Sequence, residues 1–222
     1  MTAIVVVHTP DGYVIGADGR QIDSKTGIIE SDKAQKIFSF ESETVRLAYA
    51  WTGSTELYAE DQTCIYDLGR ATERILPSVE LFGRSSWAEF ISRFCDGLKT
   101  QLPACIENPP KELAKIILVG FFRGVSCQAE VRVLYPNSFF QPQVRIQSPS
   151  GHAMRVFAGA ESTYSRYQLL RPQNNAEAVR FVREYILDCI ESREEDCQAI
   201  GGHLHIATVT PSGFLWTIPP LG

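Results

Sequence analysis

The chain has 222 residues, 44% hydrophobic and 21% charged, with 21 basic against 26 acidic side chains for a net charge of −5. That balance excludes a disordered or collagen-like polymer, and the absence of any basic run leaves no electrostatic footprint for a nucleic-acid backbone. The length points to one domain over residues 2–222 that builds its core without staples.

Ile4 to His8 is a β-branched run that stops at Thr9-Pro10-Asp11-Gly12, and Tyr13 to Ala17 returns from that turn as a hairpin. After a polar stretch from Gln21 to Asp32, Gln35 to Phe40 and Val45 to Trp51 read as a second strand pair. Trp51-Thr52-Gly53-Ser54 is expected to end the sheet and open a helix, with Leu57, Cys64, Ile65, Leu68, Ala71 and Ile75 at helical spacing. Ser86 and Glu89 form a capping-box pair for a second helix striped by Trp87, Phe90, Ile91, Phe94, Leu98 and Leu102. Asn108-Pro109-Pro110 stops that pattern.

Ala114 to Arg123, Gln128 to Leu134, Gln143 to Gln147 and Arg155 to Ala158 then read as strands. Helices are expected over Ser162 to Leu170 and Ala176 to Ile190, the second capped by Asn174 with Glu177. His203 to Thr208 and Phe214 to Ile218 close the chain as a hairpin around Pro211-Ser212-Gly213. Strands, helices, strands, helices, strands, with no βαβ alternation, predict an α+β fold: a four-layer α-β-β-α sandwich of two antiparallel sheets.

The six cysteines, Cys64, Cys95, Cys105, Cys127, Cys189 and Cys197, show no C-x-x-C spacing and read as reduced thiols of a cytoplasmic protein. The start of the chain lacks the basic segment of a signal peptide, and the longest apolar run, Ile116 to Phe122, is too short to span a bilayer. Nucleotide-binding loops, G-x-S-x-G and H-E-x-x-H are absent. His203 and His205 alternate on one strand, but no carboxylate or third histidine accompanies them, so a structural role is expected and no metal.

What remains is the N-terminal block. Removal of Met1 would leave Thr2 with a free α-amine beside its own hydroxyl, on a strand that begins at once. Asp18-Gly19-Arg20 ends the first hairpin, and Lys36 follows in a strand-like segment. Thr2-Ala3-Ile4-Val5, then Asp11-Gly12-Tyr13-Val14-Ile15-Gly16-Ala17-Asp18-Gly19-Arg20, then Ala34-Gln35-Lys36-Ile37-Phe38 resembles the proteasome β-subunit family of N-terminal-nucleophile (Ntn) hydrolases, most strongly over residues 2–60. Lys36 lies two residues later than the family spacing, which implies a short insertion in the Gln21–Asp32 loop.

The resemblance implies a threonine-type amidohydrolase, a peptidase, with Thr2, Asp18 and Lys36 catalytic and no cofactor. A threonine hydroxyl needs a base to take its proton, and an α-amine with a pKa of about 7.7–8.0 is close to a useful value. An ammonium at Lys36 disfavours protonation of that amine, and Asp18 orients Lys36 by ion pairing. A backbone N–H at Thr52-Gly53 is expected to stabilise the oxyanion, with Arg20 on the substrate side.

The chain departs from the family at three points. Thr52-Gly53 stands for a Gly-Gly pair. Gly159-Ala160-Glu161 stands for Gly-Ser-Gly, so Ala160 offers no hydroxyl. Cys197-Gln198-Ala199-Ile200-Gly201-Gly202 stands for Asp-x-x-Ser-Gly-Gly, with Cys197 and Ile200 in place of polar groups unless Asp196 slips in by one position. Two other readings therefore stay open: a structural or interaction subunit without efficient turnover, and a small-molecule amide hydrolase on the same fold. Expected partners are a peptide or protein substrate and further copies of the chain in an oligomer or ring, with neither nucleic acid nor membrane. Phe139 and Phe140, set between Pro136 and Pro142, are candidate interface anchors or core residues.

Overall fold

The computed structural model describes residues 2–23, 26–59, 61, 63–82, 86–104, 110–135, 140–147, 153–158, 161–167 and 171–221. The chain divides into two compact units. The first comprises residues 1–50, 118–127 and 148–222, and the second comprises 51–117 and 128–147. It is a mixed α+β fold with antiparallel sheets.

The first unit is built on the N-terminal hairpin. β1 (Ile4–Thr9) and β2 (Gly12–Ala17) pair antiparallel from Ile4–Ala17 to Thr9–Gly12. Two short strands, β3 (Gln21–Ile22) and β4 (Ile29–Ser31), pair within the polar stretch where the sequence showed no strand period. β5 (Ile37–Glu41) and β6 (Val45–Gly53) form the next pair.

The second unit contains another small hairpin, β7 (Glu56–Tyr58) with β8 (Cys64–Asp67), before α1 (Leu68–Phe82) begins. The helix expected directly after Ser54 therefore starts much later. Leu57 and Tyr66 are opposed across the hairpin and buried, so tertiary contacts override the weak helical spacing there. α2 (Trp87–Gln101) starts where its cap predicts, with Ser86 Oγ accepting from the Glu89 N–H at 3.1 Å. Phe90, Ile91, Phe94 and Leu98 are fully buried. α2 packs on α1 and on β11.

β9 (Glu112–Phe122), β10 (Val125–Leu134), β11 (Gln141–Gln147) and β12 (Ala153–Ala158) follow. β6, β9 and β10 contribute residues to both units. Of the two candidate anchor phenylalanines, Phe140 folds onto the core, 1% exposed, with its ring 4.7 Å from Tyr135. Phe139 lies outside the described residues.

α3 is a single turn (Glu161–Tyr164), and α4 (Asn175–Glu191) is capped by Asn174, whose side chain accepts from the Glu177 N–H at 2.9 Å. A 3-10 turn at Glu195–Cys197 leads to β13 (His205–Thr210) and β14 (Gly213–Ile218). One sheet has the order β12-β1-β2-β13-β14, the other β11-β10-β9-β6-β5.

β1 and β2 are interior strands whose residues are buried almost throughout, which explains their continuous apolar runs. Val5, Val7, Val14 and Ile206 pack under Phe181, Val182, Tyr185 and Ile186 of α4. β5 packs near β2, β13 and β14. Among the described residues no helix is long and apolar enough to cross a membrane. Cys95, Cys127, Cys189 and Cys197 are buried and unbridged, and Cys64 is exposed.

Candidate active site

The candidate site lies in the first unit, at the end of β2. Asp18 is the residue after the last ladder pair, and it closes the strand by a reciprocal contact. Its N–H donates to the Ala3 carbonyl at 3.3 Å, and the Ala3 N–H donates to its Oδ1 at 2.8 Å. Thr2 is thereby tethered by its neighbour. Oδ2 accepts from the Gly201 N–H at 3.1 Å and the Arg20 N–H at 3.2 Å. Asp18 is fully buried, and three backbone amides stand in for its lost hydration.

Lys36, immediately before β5, completes the cluster. Its Nζ donates to Asp18 Oδ1 at 3.1 Å, to Thr2 Oγ1 at 3.1 Å and to the Arg20 carbonyl at 2.5 Å. All three ammonium donors are used. Lys36 is 8% exposed. Burial holds its pKa below the usual lysine range and the nearby Arg20 charge adds to this, while the Asp18 carboxylate opposes both. An ammonium that donates to the Thr2 oxygen favours the alkoxide and leaves the hydroxyl proton free to travel elsewhere.

Arg20 places its side chain on a loop contact. Nε pairs with Asp32 Oδ1 at 2.8 Å, and the guanidinium lies across Gly201, where a β-carbon would sit 2.4 Å from Arg20 Cζ. A side chain at position 201 would displace the guanidinium. Asp32 also accepts the His203 N–H through its carbonyl at 2.6 Å, so the loop after β4 is tied to the segment before β13.

Two of the remaining expected residues turn into the core. Cys197 and Ile200, each 2% exposed, belong to the apolar cluster under α4. The Cys197 thiol lies 3.7 Å from Thr163 Oγ1 and 3.7 Å from Asp196 Oδ1. Ala160 lies outside the described residues. Thr52 and Gly53 end β6 in the other unit, so the N–H there does not sit at a helix N-terminus as expected. Gly53 has φ +106°, and a β-carbon on it would lie 2.4 Å from the Leu113 carbonyl oxygen.

Three features escaped the sequence reading. Asp196 accepts from both the Ser162 N–H, at 3.1 Å, and the Ser162 hydroxyl, at 2.7 Å, and these bonds hold its carboxyl below the usual range. His205 Nε2 accepts from the Lys36 N–H at 3.0 Å, whereas His203 Nε2 meets the Pro219 carbonyl at 2.9 Å, so the two rings serve separate partners. Away from the site, Ser126 Oγ lies 3.2 Å from His8 Nε2 and donates to the Tyr13 hydroxyl at 2.9 Å. The i, i+2 histidine spacing and Asp196 beside Cys197 were visible beforehand; the contacts themselves join distant segments.

No protein-family model and no curated protein matches the chain. Solved structures do. The chain is similar to the Anbu (Gly-1) mutant from Hyphomicrobium sp. strain MC1, with TM-score 0.62 and 13% identity, covering 98% of this chain and 85% of that one. It is also similar to the subunit in the helical assembly of the Anbu complex from Pseudomonas aeruginosa, with TM-score 0.60 and 14% identity, covering 100% of this chain and 86% of that one.

The fold is Anbu-like. The assignment to the proteasome β-subunit family is thereby corrected: the solved structures show an Anbu-like fold.

Proposed function

We propose that the chain is a threonine-type amidohydrolase acting on peptide bonds, with Thr2 as nucleophile once residue 1 has been removed. The observation that carries this reading is the Lys36 ammonium, anchored on Asp18 and donating to Thr2 Oγ1 at 3.1 Å. The free α-amine of Thr2 takes the hydroxyl proton as Oγ1 attacks the substrate carbonyl. The amine returns that proton to the leaving amine as the C–N bond breaks, giving an acyl ester on Thr2. Water then adds to the ester, and its hydrolysis frees the acid and restores the hydroxyl. Lys36 stabilises the developing alkoxide and keeps the α-amine unprotonated, and Asp18 holds Lys36 in place. In this reading Arg20 borders the substrate.

Two wider parts of the reading follow. The sheets stack face to face with helices outside, a four-layer α-β-β-α sandwich, supported by α4 on one face of the first sheet and β5 near the other. Copies of the chain self-associate, supported by the helical assembly of the Anbu neighbour. A non-catalytic subunit is the competing reading, and the apolar placement of Cys197 and Ile200 favours it, since neither supplies a polar group to Thr2.

One preparation tests these readings. N-terminal sequencing is expected to begin at Thr2, a peptide epoxyketone to add covalently to that residue, and light scattering to report a multimer. Thr2→Ala abolishes labelling and peptide hydrolysis. Hydrolysis that survives Thr2→Ala moves the site elsewhere, with Ser126 and His8 the next pair to replace. A processed chain that neither labels nor cleaves a broad peptide library is the non-catalytic subunit.

A further inference from the structure

We infer that His205 is a positioning residue for Lys36: its neutral imidazole fixes the lysine backbone so that Nζ reaches both Asp18 and Thr2. This deepens the threonine-hydrolase reading and rests on it for the activity measurements.

The placement follows from strand register. His205 opens β13 opposite Ala17, whose other cross-strand neighbour is Ile4 of β1. Ile4, Ala17 and His205 therefore form a row across three strands, one residue before Asp18 and two after Thr2. Ile206 points into the core under α4, so by alternation His205 faces the opposite side of the sheet, where β5 packs. Lys36 precedes β5, whose first ladder pair is Ile37 with Ala50. Lys36 is thus outside the ladder, yet it is buried and its N–H requires an acceptor. His205, 1% exposed, supplies it through Nε2 at 3.0 Å across 169 positions of sequence.

The ring's protonation state suits this task. The His203 backbone carbonyl accepts from the ring, so the proton sits on Nδ1 and the Nε2 lone pair faces the Lys36 N–H. Trp216 packs against the imidazole at 6.1 Å in a T-shaped contact. The charged and titratable groups that bear on the ring are Lys36 and His203, and both disfavour an imidazolium. Burial does so more strongly, and together these effects bring the pKa down to about 4. His205 remains an acceptor throughout the neutral range. Protonation would remove that acceptor and set a second cation beside Lys36.

The test compares His205→Phe, which keeps a ring against Trp216 but cannot accept, with His205→Gln, which offers an amide oxygen. Both are measured in the full chain by steady-state peptide hydrolysis and by carbon-13 NMR titration of the Lys36 side chain. His205→Phe is expected to lower kcat on the order of tenfold to a hundredfold with KM within about twofold. Its Lys36 titration midpoint rises toward the free-lysine range as burial is lost. His205→Gln recovers most of kcat and the wild-type midpoint. An unchanged Lys36 midpoint in His205→Phe overturns the inference whatever the activity does.

The Lys36 titration also separates the two readings. If the wild type hydrolyses nothing, the hydrolase reading fails, while a midpoint shift in His205→Phe still supports positioning. Thermal melts check that each variant folds. Should the phenylalanine variant not fold, His205→Asn and His205→Gln decide by the same titration: a midpoint displaced in the shorter amide and restored in the longer one supports the inference. Midpoints that match wild type in both overturn it.

Discussion

Asp18→Asn keeps the side chain's size and removes its charge, and the structure sets what this costs. The carboxylate receives four donors: the amides of Ala3, Arg20 and Gly201, and the Lys36 ammonium. An asparagine has one acceptor oxygen, so whichever way it is turned its NH2 group faces two of those donors. Two bonds become donor–donor contacts, and the largely buried ammonium loses its counter-charge. Breaking a buried pair by removing one partner costs about 3–5 kcal/mol, and this change belongs in that range. That is a large share of the about 5–15 kcal/mol that holds a typical domain folded.

Lys36→Met retains the stem and deletes the ammonium. Asp18 then keeps its three backbone amides, so the loss is smaller, about 1–3 kcal/mol. The Asp18→Asn, Lys36→Met double variant no longer buries an orphaned ammonium, and its destabilisation falls short of the sum by about 1 kcal/mol or more. Urea unfolding followed by circular dichroism measures all four corners, with equal m-values confirming a common transition. Asp18→Asn within about 0.5 kcal/mol of wild type, or singles that add to within that margin, would refute the charge-pair account.

Acid stability follows from His205, with a folded pKa of about 4 against an ordinary value of 6.5. As pH falls from about 6.5 to about 4 the unfolded chain takes up a proton that the folded chain refuses. The contribution, complete above the upper value, is therefore lost through this window. At about 1.4 kcal/mol per pKa unit the loss is on the order of 3 kcal/mol, and His205→Gln removes it, so unfolding at pH 4.5 and 7 should show a shallower slope in that variant. A wild-type slope in His205→Gln would assign the acid sensitivity elsewhere. Asn174→Ala strips the acceptor from the Glu177 N–H at the start of α4 and should cost about 1 kcal/mol, read as a lower Tm in a thermal melt. An unchanged Tm would mean that α4 is held by packing alone.

The sequence by itself determined the features whose causes are local. The first hairpin could be read because its turn and both apolar runs lie within residues 4–17. The starts of α2 and α4 could be read because Ser86 with Glu89 and Asn174 with Glu177 meet their own backbone three residues on. Thr2, Asp18 and Lys36 could be nominated by pattern. Their convergence was decided by tertiary structure, through a lysine reaching across 18 and 34 positions. Tertiary contacts also made β7 and β8 strands despite a helical spacing, turned Cys197 and Ile200 into the core, and brought the Gly201 amide and the His205 ring to the site from 183 and 169 positions away. A residue's spacing reports which face of its own element it occupies. Which distant amide needs an acceptor, and which ring will supply it, depends on how the elements pack, because a buried polar group can be satisfied only by what surrounds it in three dimensions.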